Sequence, residues 1–93
     1  MDNISELLTS GAIIVDVRTP AEYGEGHLKG SINMPLHEII NRIEELKKMH
    51  AVIVCCASGI RSNKAANILQ QNGIECLDGG SWLNLNHLSS VNQ

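Results

Sequence analysis

The sequence predicts an α/β domain, a small parallel β-sheet with helices on both faces, and three observations carry that prediction. Residues 12–17, AIIVDV, and 51–55, AVIVC, are short β-branched runs of the kind found in strands buried on both sides. Between them, Leu36 to Met49 places apolar residues at helical spacing. Glycine and proline punctuate the joins, and strands alternating with helices imply parallel pairing. No internal repeat or low-complexity tract competes with this reading.

The elements follow in order. Asn3 with Glu6 three residues later resembles a capping box, Ile4, Leu7 and Leu8 share one face, and Gly11 stops a short first helix. The first strand covers 12–17. Residues 18–30 are rich in glycine and charge and form a functional-length loop, with one helical turn around Ala21 to Tyr23. Ser31 to Met34 makes one short strand, and Pro35 suits the start of a helix.

That helix, Leu36 to Met49, is the clearest in the chain. Leu36, Ile39, Ile40, Ile43 and Leu46 form its apolar stripe, and Glu38 with Arg42 and Glu44 with Lys48 pair outside it. The strand 51–55 runs directly into Cys-Ala-Ser-Gly-Ile-Arg, and a helix follows from about Ser62 to Asn72, closed by Gly73. Ile74 to Leu77 is a last strand. Ser81 to Leu88 is a weak helix before a fraying tail, residues 88–93.

Composition narrows the function. The 93 residues, 43% hydrophobic and 18% charged, leave room for one domain, residues 1–93, with one modest core. Tyr23 and Trp82 are the only aromatics, so that core is aliphatic. A net charge of −3 with scattered basic residues excludes nucleic acid as a default partner. The apolar runs are too short for a membrane span, and the acidic start lacks a secretory signal, which points to a cytoplasmic protein. Three cysteines, two of them adjacent, suit reduced thiols rather than a disulfide framework, and their spacing suggests no metal site.

The chemistry is expected where the second long strand turns into its helix, because ligands of open parallel sheets bind beyond the carboxyl ends of the strands. A cysteine acts as a nucleophile only as its thiolate, so it needs a local positive potential. Cys56 has candidate sources in the helix N-terminus, in Arg61, and in the backbone amides of residues 57–61, with Gly59 free to take the positive φ of an amide nest. This expectation has two requirements: an ionised sulfur at neutral pH and a side chain that does not face inward away from solvent.

These residues also carry a family resemblance. The stretch VIVCCASGIRSNKAA resembles the active-site loop and helix of rhodanese domains, a C-x-S-G-x-R-S pattern that places Cys56, Ser58, Gly59, Arg61 and Ser62 in register. Upstream, DVRTPAEYGEGHLKGSINMP is similar to the family's second block through Asp16, Arg18, Glu22, Tyr23, Gly26, His27, Gly30, Asn33 and Pro35. Asp78-Gly79-Gly80 with Trp82 resembles its closing segment. The chain departs from the pattern in lacking the usual opening edge strand, in a shortened C-terminal helix, and in Cys55 and Ala57 flanking Cys56.

The resemblance implies a sulfurtransferase. Cys56 takes sulfane sulfur from a small donor, thiosulfate or another persulfide, and a thiol, cyanide or protein acceptor removes it. Ala57, Ser58, Gly59, Ile60 and Arg61 form the binding loop. No cofactor is implied. Asp16, Arg18, Glu22, His27 and Ser62 are the supporting residues. Asp16 and Arg18 read as a structural pair, and His27 as a hydrogen bonder that fixes its loop. Arg61 either binds a substrate anion or neutralises Asp16 or Glu22.

Blander readings stand beside these. A buried cysteine is commonly a small hydrophobe, the reading preferred for Cys55 and Cys76. Cys55 could instead join Cys56 in a reactive vicinal pair. Trp82 reads as a core plug, and His37, His50 and His87 as surface residues. Two other functions compete. Counted from Cys55, the loop is C-x5-R, the spacing of cysteine phosphatases and arsenate reductases. A sulfur-carrier or regulatory module acting on a protein partner is the third.

Overall fold

The computed structural model describes residues 3–85. Its elements are α1 (Asn3–Thr9), β1 (Ile13–Asp16), α2 (Pro20–Gly24), β2 (Ile32–Asn33), α3 (Leu36–Ile39), a 3-10 turn (Ile40–Arg42), α4 (Ile43–Lys47), β3 (Val52–Cys56), α5 (Ile60–Gln71) and β4 (Cys76–Ser81). A further helical turn occupies residues 82–85. The four strands pair in parallel in the order β2-β1-β3-β4, so the predicted α/β architecture is present.

Side chains of a strand alternate between faces, and this period of two divides the core. Val52, Val54 and Cys56 of β3 join Val15, Ile39, Ile43, Leu46, Ala65, Ala66 and Leu69, the layer under α3, α4 and α5. Ile53 and Cys55 face the other way, with Ile14, Leu28 and Leu85, against Ile4, Leu7, Leu8 and Trp82. Neighbouring cysteines therefore belong to different layers.

Several boundaries differ from the sequence expectation. The single helix over 36–49 is broken at Arg42, whose φ −120° and ψ 20° leave the helical region. The 3-10 turn before it changes the phase of the apolar stripe, and Ile40 is 59% exposed while Ile39, Ile43 and Leu46 are buried. Arg42 spans the break by pairing with Glu38 at 3.4 Å and Glu45 at 2.9 Å. Glu44 pairs with Lys47 rather than Lys48.

The last strand lies later than the expected Ile74 to Leu77, at Cys76–Ser81, and runs through Gly79 and Gly80. Asp78 aligns with Val54 and Ser81 with Cys56, so three steps on β4 match two on β3, and the irregularity absorbs Gly79 and Gly80. α5 starts two residues early because Gly59, at φ 105°, caps it in the left-handed region. Asn3 lies inside α1. The rest of the expected helix to Leu88, His87 and the tail 88–93 lie outside the described residues. Among the described residues no helix is long and apolar enough to cross a membrane.

A Cβ at Gly79 would sit 2.7 Å from Leu85 Cδ1, 2.9 Å from Ile53 Cγ2 and 3.0 Å from the Val54 carbonyl oxygen. Gly79→Ala is expected to destabilise the domain by about 1–3 kcal/mol in urea unfolding, because the backbone oxygen cannot yield as a side chain would. Gly24 has nothing within 4 Å of its built Cβ. Gly24→Ala is therefore expected to be neutral or mildly stabilising in the same measurement.

Candidate active site

The site begins at the end of β3, where the chain must pass from an extended strand into α5 within three residues. Gly59 makes the turn possible, and the turn aims amides back at the Cys56 sulfur. Gly59 N–H donates to Sγ at 3.0 Å and Ser62 N–H at 3.3 Å. The Ser62 hydroxyl lies 3.5 Å from Sγ and 3.1 Å from the Gly59 carbonyl, so its one proton reaches the carbonyl when the thiol is protonated and the sulfur when it is ionised. Ala57 and Ser58 are exposed at its outer edge.

Burial alone would raise the Cys56 pKa and is the largest single influence on it. The hydroxyl and amide of Ser62 and the amides of Gly59 and Ser58 act together in the other direction, and the net result is a lowered pKa. The expected ionisation of this thiol is thus favoured. The second requirement fails: Cys56 is 0% exposed, and its sulfur faces the loop amides rather than solvent. The physical reason is the same turn, which wraps the donors over the sulfur. A cysteine serving only as a hydrophobe would not collect them.

The positive potential does not come chiefly from Arg61. Its two terminal nitrogens donate to both carboxylate oxygens of Glu22, at 2.7 and 2.9 Å. Neutralisation of Glu22 is one of the alternatives left open by the sequence, and it is the pairing that Arg61 makes in this structure. Arg61 in turn holds the Glu22 carboxyl down to about 2, helped by the Thr19 backbone.

Asp16 and Arg18 form the buried pair expected at the end of β1. The Arg18 Nε donates to both Asp16 carboxylate oxygens at 2.9 and 3.0 Å, and Nη2 adds a bond of 2.7 Å. Nη2 also donates to the Gly26 carbonyl at 2.8 Å, and the guanidinium lies 4.9 Å from the centre of the Trp82 ring. Trp82 is therefore more than a core plug. His27 is exposed, stacks on Tyr23 and donates from Nδ1 to the Tyr23 carbonyl at 2.8 Å, the loop-fixing role expected of it.

Sequence reading passed over Thr19, although T-x-x-E was there to be seen. Thr19 and Glu22 form a full capping box on α2, which fixes the carboxylate that receives Arg61. Asn33 also ties down this region, donating from Nδ2 to the carbonyls of Asp16 and Arg18 at 3.0 and 2.9 Å. Among the described residues no group of three His, Cys, Asp or Glu side chains could hold a metal ion.

Cys55 is the counterexample to Cys56. It lies in the opposite layer, and burial first, then the Asp16 charge, push its pKa up to about 12. A phosphatase built on Cys55 would lack both a thiolate and a sulfur on the loop side of the sheet. A vicinal reactive pair fails for the same reason. Cys76 is likewise buried and raised to about 12, in keeping with a structural residue.

A four-stranded parallel sheet that delivers one thiol into a cradle of amides at a strand-to-helix junction defines a class of cysteine-centred α/β domains. Within that class the chain belongs to the rhodanese-like domain family, whose model matches residues 1–82. It is 38% identical over 65 residues to a sulfurtransferase of Allochromatium vinosum, covering 70% of this chain and 61% of that protein. It is 36% identical over 74 residues to the thiosulfate sulfurtransferase GlpE of Stutzerimonas stutzeri, covering 76% and 68%. A solved rhodanese with anions from E. coli superimposes with a TM-score of 0.73 at 31% identity, over 80% of this chain and 91% of that one. The chain thus spans just under two thirds of the Allochromatium protein.

Ser62→Ala should raise the midpoint of Cys56 alkylation by iodoacetamide by about one pH unit, since a hydrogen bond to a charged group is lost. Glu22, whose pKa is depressed from 4.5 to about 2, contributes stability above pH 4.5 that is lost as pH falls towards 2. Urea midpoints of Glu22→Gln should accordingly fall less steeply than those of the wild type over that window.

Proposed function

We propose that this chain is a sulfurtransferase in which Cys56 accepts sulfane sulfur as a persulfide and passes it to a thiophilic acceptor. The observation that carries this reading is the convergence of the Gly59 and Ser62 amides on a thiol whose pKa is lowered in spite of burial. Family membership and sulfurtransferase relatives support the reaction class.

In the first displacement the Cys56 thiolate attacks the outer sulfur of thiosulfate or of another persulfide donor. A new S–S bond forms, the old one breaks, and sulfite or a thiolate leaves with the electron pair. In the second, an acceptor such as a thiol or cyanide attacks that outer sulfur and Cys56 returns as thiolate. The donors that stabilise the thiolate are placed to stabilise charge on the terminal sulfur of the intermediate, as an oxyanion hole does for oxygen. Since Cys56 is enclosed, the donor reaches it through the mouth of the 57–61 loop, which must yield for the sulfur to be touched.

The role of the supporting residues follows from their contacts. Asp16 and Arg18 anchor α2 and the following loop, and Glu22 on α2 holds Arg61 at the far end of the cradle. These are positioning residues. Whether the acceptor is a small thiol or a partner protein leaves the first displacement unchanged.

Intact-mass spectrometry with peptide mapping after exposure to thiosulfate or to an alkyl persulfide tests the proposal. The wild type should gain one sulfur atom on Cys56, cyanide should remove it, Cys56→Ser should gain none, and Cys55→Ser should still load. Loading that maps to Cys55, or none with either donor, would sink the reading.

A further inference from the structure

We propose that the Glu22–Arg61 pair makes the Cys56 site selective for a weakly charged donor, an organic persulfide R–S–S–H, against the dianion thiosulfate. The inference rests on the persulfide reading above and names its substrate class.

Charge placement around the cradle is the basis. Ala57, Ser58, Gly59 and Ile60 carry none, so Arg61 is the sole formal charge within the loop. Both of its terminal nitrogens are turned onto Glu22. Glu22 is held in place in turn, because its Oε1 also accepts from the Thr19 amide at 3.0 Å and the Thr19 hydroxyl at 3.1 Å. Arg61 therefore cannot draw the carboxylate aside without undoing the cap of α2. The other nearby guanidinium, Arg18, is buried on Asp16. The two arginines and two carboxylates sum to zero, and the chain as a whole is at −3.

The two donors meet this arrangement differently. Thiosulfate brings two negative charges to a thiolate, and the attack collects three negative charges on Cys56–S–S⁻ and departing sulfite together. A protonated alkyl persulfide brings none. The thiolate attacks its outer sulfur, the S–S bond breaks, R–S⁻ leaves with the electron pair and takes up the proton that the outer sulfur releases, and Cys56 keeps S–S⁻. The single negative charge is conserved throughout that displacement, so no free cation is required. Ile60, 67% exposed beside Arg61, offers an alkyl group apolar contact where a sulfonate would want a donor.

Thiosulfate and 2-hydroxyethyl persulfide, each in excess, provide the test through the rate of Cys56 loading followed by intact mass. Glu22→Gln preserves an oxygen for the Thr19 cap and cancels the charge that neutralises Arg61. The ratio of thiosulfate to persulfide loading rates should rise about tenfold in this variant, a typical gain from an uncovered cation at a site mouth. Intrinsic donor reactivity cancels in that comparison. The wild type supplies a second measurement independent of how Glu22→Gln folds: added salt should speed thiosulfate loading, as for like charges, and speed it more than persulfide loading. A ratio that fails to rise in a folded Glu22→Gln, or thiosulfate loading slowed by salt, overturns the selectivity. Absence of loading by either donor instead overturns the persulfide reading itself.

Discussion

Everything at this site depends on the few N–H groups that close on the Cys56 sulfur. Burying an anion is costly unless it is hydrogen-bonded, and here the cost of enclosure is offset by Gly59 and Ser62 amides at 3.0 and 3.3 Å. The arrangement demands a strand that ends in a cysteine, a residue at φ 105° three positions later, and a helix starting at once. Glycine at position 59 meets the conformational condition without strain. The remaining structure keeps this turn in place.

Two arginine–carboxylate pairs provide that support, and they differ in kind. Asp16–Arg18 is buried, its remaining donors go to backbone carbonyls, and Trp82 covers the guanidinium. Such a pair stays favourable only because every polar atom is satisfied, and among the described residues no buried side-chain nitrogen or oxygen lacks a partner. Glu22–Arg61 is about one third exposed, so its value lies less in stability than in geometry and charge. One pair fixes α2 to the sheet, and the other fixes α2 to the loop.

The two adjacent cysteines show how strand geometry separates chemical fates. One step along β3 carries a side chain from the layer under α5 to the layer under α1. Cys56 arrives among amides and Cys55 among aliphatic side chains beside Asp16. The same residue type, with the same ordinary acidity, is pushed in opposite directions over one residue.

Local chemistry was enough to place a strand within 12–17 and another near 51–55, Ile13–Asp16 and Val52–Cys56 in the structure, with a tight loop after the second and a glycine at 59, because β-branched runs and turn chemistry act over a few residues. The sequence also offered the Asp16–Arg18 pair, two positions apart, but left the partner of Arg61 open, since Glu22 and Arg61, 39 positions apart, meet only once the sheet is assembled. The break at Arg42 escaped the apolar pattern, which records burial and not hydrogen-bond continuity. β4 ran on through Gly79 and Gly80 because packing against Ile53 and Leu85 there requires glycine, a demand invisible to propensity. Strand pattern could not say which cysteine faces the loop, as a strand buried on both sides has no polar face to mark its orientation; the C-x-S-G-x-R-S resemblance favoured Cys56, and the fold puts Cys56 and Cys55 in opposite layers. Tertiary structure alone decided that sulfur 56 is enclosed, for enclosure depends on where the next turn folds back.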